Sequence, residues 1–204
     1  MFSGIVQGTA VISSATQRDD VLTIEVELGE KLVDSLEIGA SVAIDGVCLT
    51  AVEISNSTAK FDIIEETIRC TTLDIARVNS QANIERSLKY GDEIGGHNVS
   101  GHVTATATIS EVSEGVNGRT LLFTCGESET PYLMPKGFVA IDGISLTVGE
   151  VNRGGNSFDV HLIPETLAVT TIGNKGVGEQ VNIELDSATV AAVEAAKQML
   201  ANQQ

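Results

Sequence analysis

The thiols and imidazoles of this chain, the side chains that ionise closest to neutral pH, are few: Cys48, Cys70 and Cys125, and His97, His102 and His161. Cys48 lies in Gly46-Val47-Cys48-Leu49-Thr50, just after an Asp-Gly turn signal and at the start of a strand-like run. A thiol so placed is a nucleophile when ionised, or a proton carrier. Read bare, a lone cysteine is more often an ordinary small buried hydrophobe. His102, in Gly101-His102-Val103, titrates near neutrality and suits proton transfer; a hydrogen-bonded structural histidine is the alternative. Thr50, Ser145 and Thr147 add hydroxyls at strand starts. Metal chemistry is not expected, because the histidines are scattered without ligand spacing and the cysteines form no C-x-x-C pair.

These residues sit at matched places in a duplication. Ala43-Ile44-Asp45-Gly46-Val47-Cys48-Leu49-Thr50 returns 97 residues later as Ala140-Ile141-Asp142-Gly143-Ile144-Ser145-Leu146-Thr147. The same offset carries Ser3-Gly4-Ile5-Val6 onto Ser100-Gly101-His102-Val103, Thr9-Ala10 onto Thr106-Ala107 and Phe61-Asp62 onto Phe158-Asp159. With a shift of two more, Glu66-Thr67 maps to Glu165-Thr166 and Asn83-Ile84-Glu85 to Asn182-Ile183-Glu184. A period this long is far above that of solenoids and marks a duplicated domain. The copies differ where chemistry matters: Ile5 and Cys48 in the first stand against His102 and Ser145 in the second. Two pockets of one shape and different chemistry suit a protein that handles two copies of one ligand.

Strand signals position these groups. Val21 to Leu28 alternates, and short strands are expected at 40–44, 49–54, 60–64 and 82–88. Their counterparts are expected at 102–109, 120–125, 138–141, 146–151, 157–163 and 180–185. About six short strands per copy predict a small closed antiparallel barrel, which leaves no exposed strand edge. Helical turns are expected to begin at Glu66 and Glu165. Asp186 and Ser187 are cap-type residues before an Ala-rich helix running to Leu200, with Val190, Val193, Ala196 and Leu200 as a narrow apolar stripe. That stripe packs on its own barrel or on another copy of the chain. The Gly-rich stretch from Lys89 to Gly96 reads as the linker, and the expected units are 1–97, 98–186 and the helical segment 187–204. Gly95-Gly96 is not a phosphate loop, because no Lys-Ser/Thr follows and no parallel βαβ context exists.

The chain has 204 residues and a formal charge of −16. That charge argues against nucleic acid and anionic membrane surfaces as partners. It also argues, with only seven Phe and Tyr residues, against a double-barrel oligonucleotide binder. No segment has the apolar length of a membrane span and the N-terminus lacks signal-peptide features. With an odd number of cysteines, a reducing cytoplasm is the expected setting.

Taken together, several motifs resemble the riboflavin synthase family of the α-subunit type. They are the opening Met-Phe-Ser-Gly-Ile-Val-Gln-Gly, the paired Gly-Val-Cys-Leu-Thr and Gly-Ile-Ser-Leu-Thr, Gly-Gly-His-Asn-Val-Ser-Gly-His-Val, and the stretches 162–167 and 181–186. The resemblance covers nearly the whole chain. It implies an all-β fold of two similar six-stranded antiparallel barrels of Greek-key type, with a C-terminal helix that helps form a homotrimer whose active site lies between subunits. It implies joining two molecules of 6,7-dimethyl-8-ribityllumazine by four-carbon transfer, giving riboflavin and 5-amino-6-(D-ribitylamino)uracil without cofactor or metal. A non-catalytic lumazine-binding protein of the same fold is the alternative.

On the first copy, the resemblance implies substrate-binding positions at Phe2, Gly4, Ile5, Val6, Cys48, Leu49, Thr50, Asp62, Ile63, Ile64, Glu65, Glu66 and Thr67. On the second, it implies Gly101, His102, Val103, Lys136, Ser145, Leu146, Thr147, His161, Leu162, Ile163, Pro164, Glu165 and Thr166. Catalytic roles fall on Cys48, as nucleophile or proton-transfer group, on His102, which would abstract a methyl proton, and on Ser41, Ser145 and Asp186. Asp186 has a rival role as helix cap, Lys136 as a solvated surface charge, and His97 is expected at most to orient. Cys70 and Cys125 are expected to be structural. Thr104 stands where many relatives have Asp and is given no catalytic role.

Overall fold

In a computed structural model, the strands close into two six-stranded antiparallel barrels joined in tandem. The structure describes residues 1–116 and 118–203, with only the backbone of Ile75. Gln204, the last residue of the expected tail segment, lies outside the described residues.

The first barrel comprises β1 (Gly8–Arg18), β2 (Val21–Glu27), β3 (Ser41–Ile44), β4 (Val47–Ser55), β5 (Thr58–Ile64) and β6 (Gln81–Arg86). Helix α1 (Gly29–Val33) follows β2, and α2 (Glu65–Cys70) follows β5. The second barrel comprises β7 (Ala105–Gly115), β8 (Gly118–Thr124), β9 (Phe138–Ile141), β10 (Ile144–Asn152), β11 (Ser157–Leu162) and β12 (Gln180–Leu185). Helix α3 (Pro164–Val169) follows β11, and α4 (Ser187–Ala201) closes the chain. Both barrels run in one order: β1-β2-β5-β4-β3-β6 and, equivalently, β7-β8-β11-β10-β9-β12.

Alternation sets what faces inward. Leu22, Ile24, Val26, Phe61 and Ile63 fill the first core, and Leu121, Phe123, Phe158 and Val160 the second. Strands β4, β5, β10 and β11 thus bury one face and leave much of the other open, whereas β3, β6, β9 and β12 are buried on both faces. Strand β1 is absent from the sequence expectation. Only Ala10 and Ile12 along it are buried, and Ser13 to Arg18 form a largely polar arm bulged at Ile12/Ser14 against β2. The period-2 apolar signal is therefore too short to read. Conversely, the strand expected from His102 begins only at Ala105.

The register corrects one station of the repeat. Leu22 pairs with Ile63 and Arg119 with Leu162, so β5 and β11 already stand at the larger offset of two more residues. The β4–β5 turn is Asn56-Ser57, whereas the β10–β11 turn is Arg153 to Asn156. The two extra residues lie there. Asp62 is therefore the counterpart of His161 rather than of Asp159.

The barrels meet about a pseudo-twofold axis. The Asp45-Gly46 and Asp142-Gly143 turns, all four residues at positive φ, lie back to back, and a Cβ on Gly46 would come within 2.6 Å of the Gly143 amide nitrogen. Around them, Asn83 Nδ2 donates to the Asp142 carbonyl at 3.0 Å while its Oδ1 accepts from Thr171 N at 2.8 Å. Asn182 repeats this, donating to the Asp45 carbonyl and accepting from Thr72 N, each at 2.8 Å. Each buried aspartate accepts a backbone amide from the matching asparagine. Each also faces a cation: Arg77 at 2.5 Å from Asp45, and Lys175 at 2.8 Å from Asp142.

Residues 1–6 and 98–104 are leaders that precede their barrels. They pair with each other through the Phe2–Val99 bridge. Phe2 is fully buried with Ala43, Val99 and Ala140, against half-buried Cys48. Helix α4 starts on the Asp186 cap, whose carboxylate accepts from Thr189 N at 2.9 Å and Thr189 Oγ1 at 2.6 Å. Val190 packs on the second core, Tyr132 bonds Glu194, and no residue of α4 is fully buried. Among the described residues, no helix is long and apolar enough to cross a membrane.

Candidate functional site: two matched outer faces and the leaders that wall them

The outer face of β4 and β5 presents Cys48, Thr50, Asp62 and Ile64, with Thr67 of α2 at its end. The matching face of β10 and β11 presents Ser145, Thr147, His161 and Ile163, with Thr166 of α3. Strand alternation divides the remaining expected positions. Leu49, Ile63, Leu146 and Leu162 point into the barrel cores, so these four offer a ligand only their backbones. Glu65 and Glu66 form the exposed first turn of α2, and Pro164 and Glu165 that of α3. Glu66 is engaged with Arg69.

Each face takes a wall from the other barrel's leader. Gly101 O accepts from Cys48 N at 2.8 Å, which sets His102 and Val103 beside the first face. Gly4 O accepts from Ser145 N at 2.8 Å, which sets Ile5 and Val6 beside the second. Both glycines have positive φ, and a Cβ on either would lie 2.5–2.6 Å from the Cβ of Cys48 or Ser145, so no other residue fits. Beside the second barrel the first leader borders an open cleft of about 640 Å³ lined by Gly4 to Thr9, Ile144, Ser145, Glu165, Thr166 and Ala168 to Thr170. That is a fitting size for a small heterocycle with a polar chain.

The two faces differ in chemistry. In the second, His97 Nδ1 lies 2.7 Å from Ser145 Oγ. The His97 ring stacks on Phe138 with centroids 5.0 Å apart. Burial pulls the His97 pKa below its usual value, opposed by the charges of Asp186 and Glu184. The imidazole is thereby held neutral near pH 7 and can exchange a proton with the serine hydroxyl. In the first face the thiol of Cys48 replaces that hydroxyl, and His102 is exposed, its amide donating to Ser100 Oγ at 3.1 Å. At matched positions Thr23 Oγ1 donates to Asp62 Oδ1 at 2.7 Å, whereas Thr120 Oγ1 lies 2.9 Å from His161 Nδ1.

Ser41, half-buried on β3 opposite Thr50, borders the first face. Asp186 caps α4 and acts on His97 through its charge. Burial favours its protonated form, but bonds from Thr189 and the helix amides outweigh this and hold its carboxyl below the usual range. Lys136 is exposed and lines a separate opening of about 510 Å³ with His161, Pro135 and Glu150. Phe138, Thr23 and Thr120 were not expected as contributors, and His97 was expected only to orient. The offset of 97 gives His97 no partner in the first copy, so comparing the copies carries no signal there. The two threonines lie across the sheet on β2 and β8, visible only once the ladder is known. Cys125 is buried, and Cys70 touches Glu66, away from either face. Among the described residues no cluster of His, Cys, Asp or Glu could hold a metal ion.

The family described as the lumazine binding domain matches twice, over residues 3–87 and 100–186. Riboflavin synthase of Escherichia coli (strain K12) is 46% identical over 202 residues, covering 98% of this chain and 94% of that protein. The chain belongs to the riboflavin synthase family. Riboflavin synthase of Chlamydia pneumoniae is 44% identical, covering 99% of this chain and 98% of that protein. Among solved structures, LumP complexed with riboflavin superposes with a TM-score of 0.83 at 25% identity, covering 92% of this chain and all of LumP. Riboflavin synthase relatives thus match both barrels, and the resemblance read from the paired motifs is borne out at the level of family and fold.

Proposed function

We propose that this chain is a riboflavin synthase that disproportionates two molecules of 6,7-dimethyl-8-ribityllumazine into riboflavin and 5-amino-6-(D-ribitylamino)uracil. The observation that carries this is the pair of matched outer faces, alike in frame but bearing Cys48 with His102 on one and Ser145 with His97 on the other. The reaction needs two identical molecules in opposite roles, donor and acceptor of a four-carbon unit. One ring per face, two faces apposed, turns a bimolecular encounter into a positioned one, worth up to roughly 7–11 kcal/mol in ideal cases. Cys48 serves as nucleophile or proton carrier, His102 takes up a methyl proton, and the Ser145–His97 pair hydrogen-bonds the second ring. Thr50, Thr147, Asp62, His161, Thr67, Thr166, Lys136 and the leader residues line the substrates, with Ser41 and Asp186 in support.

The two faces lie on different barrels, and setting the first face of one copy against the second face of another would bring the two rings together. The distal part of α4, with Met199 and Leu200 roughly two-thirds exposed, supports assembly through this helix into a trimer with sites between subunits. Free cysteines support a reducing, cytoplasmic setting.

The test is incubation of pure protein with 6,7-dimethyl-8-ribityllumazine, alongside Cys48→Ser and His102→Gln variants. Riboflavin and the pyrimidine in one-to-one ratio, with both variants slowed, is the expected result. Tight binding without riboflavin would leave a lumazine-carrying protein, the reading suggested by likeness to LumP.

A further inference from the structure

Each leader is fastened to one barrel and serves the other. Ser3 N, Ser3 Oγ and Gly4 N donate to the carboxylate of Glu85 on β6 at 2.7, 2.8 and 3.0 Å. From that anchorage Ser3 O accepts from His97 N at 3.1 Å, and Gly4 O accepts from Ser145 N. Both members of the Ser145–His97 pair thus hang on a leader bolted to the first barrel. The mirror arrangement is equally complete. Ser100 N, Ser100 Oγ and Gly101 N donate to Glu184 on β12 at 2.6, 2.8 and 2.8 Å. Ser100 Oγ then accepts from His102 N, and Gly101 O from Cys48 N.

We infer that Glu85 and Glu184 are positioning residues that act crosswise: Glu85 of the first barrel sets the face of the second, and Glu184 of the second sets the face of the first. Both carboxylates are buried. Burying one is costly unless its oxygens are filled by donors, and three donors from one dipeptide fix that dipeptide in translation and rotation together. Loss of the carboxylate frees the leader while the barrel that carried it keeps its own ladder. The site consequence therefore appears on the opposite barrel. The inference rests on the two-face reading above only where ligand is used as a probe.

Two readouts on the full-length chain separate the faces. Peptide mapping of thiol alkylation follows Cys48 apart from Cys70 and Cys125, and protection by 6,7-dimethyl-8-ribityllumazine reports the first face. The ring resonances of His97 and His102, assigned with His97→Gln and His102→Gln, report the leaders without ligand. Glu184→Ala should raise the ligand concentration that protects Cys48 about tenfold or more and shift His102, while His97 keeps its bond to Ser145 and changes only by titrating lower as the Glu184 charge is lost. Glu85→Ala should shift His97 and its titration toward that of a free imidazole, with Cys48 protection unchanged. Glu→Gln keeps an acceptor oxygen and should restore part of each effect; if an alanine variant does not fold, the glutamine variants carry the comparison. The inference is overturned if each substitution disturbs the face of its own barrel, if both disturb both faces equally, or if Gln behaves as Ala. Absence of Cys48 protection in the unaltered protein would count against the ligand reading alone, and the histidine shifts would still decide the crosswise assignment.

Discussion

Asn83 offers a direct test of how firmly the barrels are coupled. Its side chain is 2% exposed and makes two bonds, both to the second barrel: Nδ2 to the Asp142 carbonyl and Oδ1 from the Thr171 amide. Asn83→Ala leaves both of those backbone groups buried and unpartnered. Each orphan costs about 1–3 kcal/mol, so the substitution should destabilise by about 2–6 kcal/mol, a large share of the 5–15 kcal/mol typical of a domain. Asn182→Ala removes the equivalent bonds across the pseudo-twofold axis and should cost about the same. Because the two asparagines brace one interface, the double variant should fall short of the sum of the singles by roughly 0.5–3 kcal/mol. Urea unfolding followed by far-UV circular dichroism measures all three; a lower midpoint with unchanged slope reads as lost stability. A loss under about 1 kcal/mol for Asn83→Ala, or strict additivity, would refute the coupling.

Three further outcomes follow from the same interfaces. Burial lifts the Asp142 carboxyl from 3.8 to about 6 despite Lys175. The folded state therefore binds more protons than the unfolded state between about pH 4 and 6, and stability falls as pH rises through that window, by up to about 3 kcal/mol; an Asp142→Asn/Lys175→Met variant should flatten that slope in urea titrations against pH. Thr171 Oγ1 is buried without a partner, whereas its counterpart Thr72 Oγ1 accepts from Arg77; Lys175→Arg should supply the missing donor and raise the stability by about 1 kcal/mol, read as a higher melting temperature. His97, whose pKa is pushed down by burial, contributes stability that is lost as pH drops below the ordinary histidine range, and His97→Gln should remove that part of the pH dependence.

What could be read from the chain depended on how local its signal was. The duplication, the strand alternation along 21–28 and the Asp-Gly turns are local patterns, and the barrels follow from them. Cys48 and Ser145 stand in the copied motifs and lie on the matched faces, and His102 stands in the leader beside the first of them. The β1 arm escaped because its exposed half carries no apolar alternation. Asp62 was matched to Asp159 because an identical Phe-Asp pair outweighed a turn insertion that only the ladder reveals. His97 gains its significance from a contact 48 residues away with Ser145, and Glu85 and Glu184 from bonds spanning more than 80 residues. No periodicity records such pairings.

The interface centred on the two Asp-Gly turns has the form of an isologous contact, in which each element of one half meets its own counterpart in the other. That is the surface a symmetric homodimer of a single barrel would use. Joining two barrels in one chain keeps the geometry and lifts the constraint that both halves be identical. Arg77 against Lys175, Asp62 against His161 and Cys48 against Ser145 are the differences that a fused ancestor could acquire and an identical pair could not. Asymmetry between the two faces is thus a consequence of covalent linkage, reached without altering the architecture that places them.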